Sequence, residues 1–360
     1  MMKRIIVKIG SSVIAPQGNL DKSLIEKLVK DVVAVERGGY QVILVSSGAI
    51  ACGLNRLGQR KRPQDTYSLM AISSLGQIIL MDVFNEKFKK HKRMCAQILL
   101  TWDDFDTRRR FMNVRKTLDK LLAMNIIPII NENDAVSYEE IRLGDNDCIS
   151  ARLADLSEAE YLIMLSDVEG LLKGQELVRE VERIDSEIVA LAKKEDKTYT
   201  SGGMLTKLEA ARIATASGIK TIIARGDTQR VISRIVGGER IGTLFVASRK
   251  LDKARKRWIL FSKKVKGKVF IDKGAREAIL YKGKSLLGVG IINVEGIFKS
   301  GDCVSVVDAQ GMLLGYGVIN YNSEDLGAVK QKKFEKEVIH RDNFVKTSQG
   351  EGYCGPCGDL

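Results

Sequence analysis

The chain has 360 residues, a mass of 39.9 kDa and a formal net charge of +13. Hydrophobic residues make up 44% of it and charged residues 29%, values that exclude an intrinsically disordered chain and are typical of a folded, soluble protein. Because a single hydrophobic core rarely grows beyond about 250–300 residues, this length predicts two domains.

No apolar run approaches the roughly 18 to 20 residues that are needed to span a bilayer. The first residues, MMKRIIVKIGSS, have a basic flank, but Lys8 and Gly10 interrupt the apolar stretch too early for a signal peptide. We therefore expect a cytoplasmic protein that does not contact a membrane.

Short β-rich runs alternate with longer amphipathic stretches up to about Phe245. The predicted strands are Arg4–Ile9, Gln41–Val45, Ala96–Leu100, Ile126–Ile130, Tyr161–Leu165 and Thr221–Ala224. The predicted helices are Leu24–Glu36, Ser68–Lys89, Arg110–Met124, Cys148–Leu156 and Leu205–Ser217. Strands separated by helix-length crossovers predict a mainly parallel sheet covered on both faces. We assign residues 1–248 to a three-layer αβα domain of the α/β class.

The pattern changes after a basic linker at residues 249–265. Residues 266–343 read as short strands parted by glycine turns, with helices at Ala275–Leu280 and Ser323–Leu326, which predicts a small β-barrel-like domain. Residues 344–360 are expected to be a mobile tail. The basic stretches in this last third indicate either nucleic-acid binding or the attraction of small polyanions by a well-solvated surface.

In an open α/β sheet, ligands bind at the carboxyl ends of the strands, so the residues that follow each strand are the candidates for a site. Near the end of the first strand, Lys8 precedes a turn at Gly10, where backbone N–H groups can approach an anion beside a positive charge. After the second strand, Ser46, Ser47 and Gly48 form another small-residue turn suited to phosphate or carboxylate. Each turn alone has an ordinary alternative, a surface lysine or a common tight turn.

An acidic, amide-rich stretch follows the strand at Ile126–Ile130. It contains Asn131, Glu132, Asn133 and Asp134, and then Asp145, Asn146 and Asp147 at the start of a helix. A helix cap accounts for one of these residues and not for seven. Carboxylate and amide groups together suit a small zwitterion, with Asp134 facing its ammonium group, or alternatively an acidic Mg²⁺ site.

Two further places could bind a phosphate. Ser166 and Asp167 follow a strand, and the turn TSGGMLTK leads into a helix whose first turns contain Thr206 and Lys207. Glycines before a helix N-terminus favour anion binding, although the GxxxxGK[ST] pattern is absent. The chain has only two histidines, and neither lies in these clusters, so a reaction that needs no proton abstraction fits best. Phosphoryl transfer to a carboxylate, already ionised with a pKa of about 4.3, is such a reaction.

Taken together, VKIGSSV, VSSGAIACG, RRRFMNVRKTL, PIINENDAV, GDND and SGGMLTK resemble the amino-acid kinase family in order and approximate spacing. The segment after Lys266 resembles the PUA domain that many bacterial members carry. The resemblance implies ATP-dependent phosphorylation of the γ-carboxylate of L-glutamate, the first step of proline biosynthesis. It also implies Mg²⁺ as a cofactor, feedback inhibition by proline at an overlapping site, a homo-oligomer, and nucleic acid as a further partner of the PUA-like domain.

The resemblance also implies roles for individual residues, with no side chain assigned as a metal ligand. It assigns catalysis to Lys8, Lys207 and Asp147, binding of glutamate to Ser47, Asp134 and Asn146, and binding of ATP to Lys8, Ser166, Asp167, Ser201, Gly202, Gly203, Met204, Leu205, Thr206 and Lys207. The chain departs from the family between Gly170 and Ser201, where it is shorter and lacks the Asp-Pro-Arg often found there, which leaves the nucleotide preference open.

Two rival functions remain at this point. A relative of the same fold could phosphorylate aspartate, acetylglutamate, carbamate or a nucleoside monophosphate. An RNA-binding protein with an inert kinase-like domain would also be basic, but the sequence shows no clear row of exposed aromatic residues for base stacking.

Overall fold

The structure is a computed structural model that describes residues 2–59, 61–136, 146–195, 203–247, 259, 265–327 and 336–346. The chain divides into two compact units, Met1–Lys250 and Leu251–Leu360. Ser201 and Gly202, most of the basic linker at 249–265 and the tail from residue 347 onward lie outside the described residues.

A twisted sheet forms the centre of the first unit. Its strands are β1 (Lys3–Ile9), β2 (Tyr40–Ser46), β3 (Met94–Leu100), β4 (Ile126–Glu132), β5 (Tyr161–Ser166), β8 (Glu180–Val181), β9 (Lys220–Arg225) and β10 (Thr243–Phe245), while β6 (Leu172–Lys173) and β7 (Glu176–Leu177) form a separate hairpin. The order across the sheet is β3-β4-β2-β1-β5-β9-β10-β8, and neighbours are parallel except for β9 and β10. Buried Val, Ile and Leu dominate the central strands, as a sheet covered on both faces requires.

Helices pack on both faces of this sheet. They are α1 (Ser11–Ile14), α2 (Lys22–Arg37), α3 (Ala49–Arg56), α4 (Thr66–Lys90), α5 (Asp103–Asp106), α6 (Arg108–Ala123), α7 (Asn146–Leu156), α8 (Ser186–Glu195), α9 (Met204–Ala216) and α10 (Val231–Val236). Ile5, Val7 and Ile9 of β1 join α2, α4 and α10 in one apolar cluster. Because successive strand residues point to opposite faces, Lys8 lies on the other face of β1, where α7 packs.

The three-layer α/β fold is confirmed. All six predicted strands and all five predicted helices are present, with their ends within two residues of those expected. The strands β6, β7, β8 and β10 were not predicted, because strands of two or three residues are too short to show a periodicity.

Helix α4 corrects one expectation drawn from the sequence. It is long and apolar enough, by length and composition alone, to cross a membrane, although no such run was expected. Polar residues such as Ser73, Ser74 and Gln77 interrupt the apolar run in the sequence. In the structure, Leu80, Val83, Phe84 and Phe88 pack into the core of the first unit. The helix also buries the polar residues Ser73 and Gln77. We therefore interpret α4 as a core helix.

A glycine pair allows α4 to approach α3 closely. A Cβ atom on Gly76 would lie 1.8 Å from the carbonyl oxygen of Ala49, and one on Gly53 would lie 2.1 Å from that of Ile72. Both obstacles are backbone atoms, so they cannot move aside as the end of a side chain would. The pair therefore fixes the position of α4, and with it the positions of Ser73 and Gln77.

We expect Gly76→Ala to lower the free energy of unfolding by about 1–3 kcal/mol, because the helices must separate to admit the methyl group. Asn85→Ala, at an exposed position of the same helix, is the matched control and should have little effect. Urea denaturation of the two variants and the parent measures the difference. A Gly76→Ala protein as stable as the parent would contradict the close approach of the two backbones.

The second unit is strand-rich, as predicted. Its described elements are β11 (Val265–Ile271), α11 (Lys273–Leu280), β12 (Ile291–Gly296), β13 (Cys303–Asp308), β14 (Leu313–Val318), α12 (Ser323–Gly327) and β15 (Phe344–Lys346). The strands form one mixed sheet in the order β12-β11-β13-β14-β15 over a separate apolar core. Because β15 pairs antiparallel with β14, residues 344–346 belong to the folded unit and not to the tail that was expected to begin at residue 344.

Candidate active site

A buried carboxylate between two lysines lies on the face of the sheet that carries Lys8. Asp147, the second residue of α7, is fully buried. The Nζ atom of Lys8 lies 2.5 Å from its Oδ1 atom, and the Nζ atom of Lys207, in the first turn of α9, lies 3.5 Å from its Oδ2 atom. Thr206 donates a hydrogen bond of 2.8 Å to the same Oδ2. Three elements that are distant in sequence thus meet at one carboxylate.

The surroundings of Asp147 keep it ionised. Burial alone would raise its pKa, but the charges of Lys207 and Lys8 and the hydrogen bonds from Lys8 and Thr206 outweigh burial and hold the pKa below its ordinary value. For Lys8, burial lowers the pKa and the nearby Lys207 lowers it further, against the opposing effect of Asp147. With two ammonium groups for one carboxylate, the cluster has a net positive charge that can attract an anion.

A chain of side-chain amides runs from the start of α7 towards α4. Asn146 donates from Nδ2 to Ser47 Oγ at 3.1 Å and to Asn131 Oδ1 at 2.8 Å. Asn131 in turn donates from Nδ2 to Gln77 Oε1 at 2.7 Å. Ser47 follows β2 in a turn that Gly48 makes with φ of 108°, a conformation that favours glycine. The chain therefore joins two of the predicted glutamate-binding residues, Ser47 and Asn146.

Asp134, the third predicted glutamate-binding residue, contacts α4. Its Oδ2 accepts a hydrogen bond of 2.5 Å from Ser73 Oγ. Burial raises the pKa of Asp134, against opposing effects of Ser73 and Arg62. It borders a cavity of about 240 Å³. The cavity is lined by Ser73, Ser74, Gln77, Ile78, Gln97, Leu99, Glu132, Asn133, Asp134 and Ala135.

Among the described residues that are predicted to bind ATP, Ser166 and Asp167 lie at the end of β5, and Gly203 to Lys207 lie at the N-terminus of α9. Ser166, buried at the end of β5, donates to Asp167 Oδ1 at 3.0 Å, and Asp167 is close enough to affect the pKa of Lys8. Gly203 begins α9 without a side-chain cap, which leaves backbone N–H groups for an anion beside Lys207. Met204 is buried, and Leu205 is half-buried.

Residues 3–225 match the model of the amino acid kinase family, and residues 267–341 match that of the PUA domain. The chain belongs to the amino acid kinase family. A protein named glutamate 5-kinase from Caldanaerobacter subterraneus subsp. tengcongensis is 39% identical, covering 98% of this chain and 100% of that protein. A protein of the same name from Syntrophotalea carbinolica is 43% identical, and the match covers 96% of this chain and 97% of that protein. Among solved structures, a carbamate kinase of Giardia has a TM-score of 0.47 at 18% identity, covering 69% of this chain and 99% of that chain.

Two polar residues of this amino acid kinase family member, Ser73 and Gln77, were missed in the sequence. They are four residues apart in the apolar helix α4 and therefore share one face, which is directed at Asp134 and Asn131. This spacing of polar residues within an apolar helix was the available signal. It was weak, because such residues can equally face solvent.

Proposed function

We propose that this chain transfers the γ-phosphoryl group of ATP to the γ-carboxylate of L-glutamate. The observation that supports this best is the convergence of Lys8 and Lys207 on the buried Asp147. The named relatives, which match over nearly their full lengths, support glutamate as the acceptor. The product would be an acyl phosphate, γ-glutamyl phosphate, which is the entry to proline biosynthesis.

The main barrier to this reaction is the repulsion between two anions, the carboxylate and the triphosphate. Lys8 and Lys207 act by neutralising charge on the transferring phosphoryl group, which is the principal contribution that a protein makes to phosphoryl transfer. Asp147 holds both ammonium groups in position before the substrates bind. No general base is needed, because the attacking carboxylate is already ionised at neutral pH.

The amino acid occupies the pocket between Asp134 and Asn146. Asp134 accepts hydrogen bonds from the substrate ammonium group, while Ser47 and Asn146 hold the substrate near Asp147. Asn146 precedes Asp147 directly, so a carboxylate bound by its amide lies close to the two lysines. With the substrate bound in this way, its γ-carboxylate faces the end of the pocket where the phosphoryl group arrives.

ATP binds with its phosphates at the N-terminus of α9, next to Gly203 and Lys207, and beside Ser166 and Asp167. Mg²⁺ is supplied as its complex with the nucleotide, where it shields the phosphate charges. Within the described ranges, no three His, Cys, Asp or Glu side chains group together as a metal site. The oxygen donors of Ser166 and Asp167 suit Mg²⁺, which typically keeps several waters and binds through phosphates and one or two carboxylates.

The remaining properties follow from the family resemblance. We propose inhibition by proline in a site that overlaps the glutamate pocket, a homo-oligomeric cytoplasmic enzyme, and nucleic acid as an additional ligand of the PUA domain. The strong salt dependence of phosphate contacts would identify such nucleic-acid binding.

The decisive experiment measures ADP release when L-glutamate is added to the protein with ATP and Mg²⁺. We expect release with glutamate, suppression by proline, and little release with aspartate, acetylglutamate, carbamate or uridine monophosphate. ADP release with one of these acceptors and none with glutamate would overturn the proposal. No release with any of them would favour an inert kinase domain.

We expect Asp134→Ala to raise the KM for glutamate about a hundredfold or more, because a buried ion pair with the substrate ammonium group is lost. The KM for ATP should change little, since Asp134 lies on the amino-acid side. Asp82→Ala, at an exposed position of α4, is the control for the removal of a carboxylate. Equal increases in both KM values would refute the role of Asp134.

A further inference from the structure

Gln77 is a buried residue of α4 whose amide nitrogen has no role in the site described so far. Its side chain belongs to a residue that is only 7% exposed. Its Oε1 accepts the hydrogen bond from Asn131, but its Nε2 finds no partner among the described residues. Since a buried donor without a partner costs free energy, such a group in a native protein calls for a ligand.

The orientation of this amide is set by a backbone group. The N–H of Glu132 can only donate, and it donates to Asn131 Oδ1 at 2.9 Å and to Asn146 Oδ1 at 3.2 Å. The oxygen of Asn131 therefore faces Glu132, and its NH₂ group faces Gln77. For the two amides to pair, Gln77 must present its oxygen to Asn131. Its NH₂ group is thereby left free to donate elsewhere.

Gln77 lines the same cavity as Asp134, the acidic residue of the proposed amino-acid pocket. Gln77 and Ser73 are one helical turn apart, and Ser73 holds Asp134. Gln77, Ser73 and Asp134 line the same cavity of about 240 Å³. The cavity is thus lined by a residue with a carboxylate acceptor and by one whose amide donor has no partner in the part of the chain that the structure describes. An α-amino acid has the complementary pair, an ammonium group and a carboxylate on one carbon atom.

We propose that Gln77 Nε2 donates a hydrogen bond to the α-carboxylate of the amino-acid substrate and so selects for that group. The inference rests on the proposed function. It assigns the α-carboxylate and not the γ-carboxylate because Gln77 lies at the end of the amide chain opposite Asn146 and Asp147. Asp134 and Gln77 then bind the two groups on the α-carbon, and the γ-carboxylate is left for the lysines.

The alternative is that Gln77 only supports Asn131. The variant Gln77→Glu separates the two roles. One oxygen of the new carboxylate can still accept the hydrogen bond from Asn131, while the other oxygen replaces the NH₂ group that would donate to the substrate. That oxygen repels an α-carboxylate but accepts a hydrogen bond from an α-carboxamide. The matched ligands are therefore L-glutamate and its α-amide, which differ only at the group in question.

The experiment measures dissociation constants of L-glutamate and L-glutamic acid α-amide by calorimetry, in the full chain with Mg²⁺ and a non-hydrolysable ATP analogue. We expect the parent to prefer glutamate. In Gln77→Glu, the ratio of the two constants should shift towards the amide by about 10- to 100-fold, as for hydrogen bonds to a charged group. Asn85→Asp, the same chemical change at an exposed position of α4, should leave the ratio unchanged.

The outcomes distinguish this inference from the proposed function. A parent protein that binds glutamate, together with a Gln77→Glu variant that weakens both ligands equally or neither, overturns the role of Gln77 alone. A parent protein that binds no glutamate overturns the proposed function, and this inference falls with it. A shift of the ratio towards the amide supports both.

Discussion

Replacing Lys207 with methionine should lower kcat by about 10²- to 10³-fold, the loss typical when one preorganised stabiliser of transition-state charge is removed. Methionine keeps the apolar stem of the side chain and removes only the charge. The KM for glutamate should change little, because Lys207 approaches Asp147 from the first turn of α9, where we propose that the phosphates of ATP bind, and not from the proposed amino-acid pocket. Steady-state kinetics with both substrates varied measures the two effects separately.

A control variant and a stability measurement test whether a loss of kcat comes from the missing charge. Lys89→Met, at an exposed position of α4, removes a positive charge from the same domain and should leave kcat unchanged. If Lys207→Met also turned over near the parent rate, charge neutralisation by Lys207 would not be part of the reaction. A denaturation curve of Lys207→Met would show whether the variant has also lost stability. We expect it to stay folded, because Asp147 keeps Lys8 as its partner.

The central strands could be predicted because their physical cause is local. Residues buried on both faces of a parallel sheet must be apolar, so β1, β2 and β5 appear in the sequence as continuous Val, Ile and Leu runs. The length of α4 could also be predicted, because apolar residues recur along the whole segment. The expectation that no apolar run is long enough to span a membrane did not hold for α4, whose apolar residues Phe84 and Phe88 instead make core contacts with residues distant in sequence.

The candidate site residues were selected where the chain follows a strand or begins a helix. Lys8, Asp134 and Ser166 were proposed as site residues because ligand-binding residues gather at the carboxyl ends of parallel strands. Lys8 and Lys207 both contact Asp147, and the catalytic roles that the family resemblance implied for them stay a prediction. Gln77 lies in the middle of a helix, where no such rule applies. Its place in the site depends on the approach of α4 to α3 at Gly76, a tertiary contact that has no local signature.

Replacing Asp147 with asparagine should lower the free energy of unfolding by about 3–5 kcal/mol and abolish activity, because it leaves two buried ammonium groups without their counterion. Asparagine has nearly the same shape and can still accept the hydrogen bond from Thr206, so the loss reports on charge. Guanidinium denaturation of the parent and the variant at neutral pH measures it. A variant as stable as the parent would show that Asp147 does not balance Lys8 and Lys207.

The pH dependence gives this prediction a distinctive sign. In the parent, the pKa of Lys8 is already below its ordinary value of 10.5, and without Asp147 it should fall further. Between that lowered pKa and 10.5, the unfolded chain binds more protons than the folded one, so the variant gains stability as the pH rises. The deficit relative to the parent should therefore shrink towards alkaline pH. Adding Lys8→Met to Asp147→Asn should restore part of the stability at neutral pH, because it removes one of the two buried charges that lack a counterion. It should restore no activity, because in the proposed reaction Lys8 neutralises charge on the phosphoryl group.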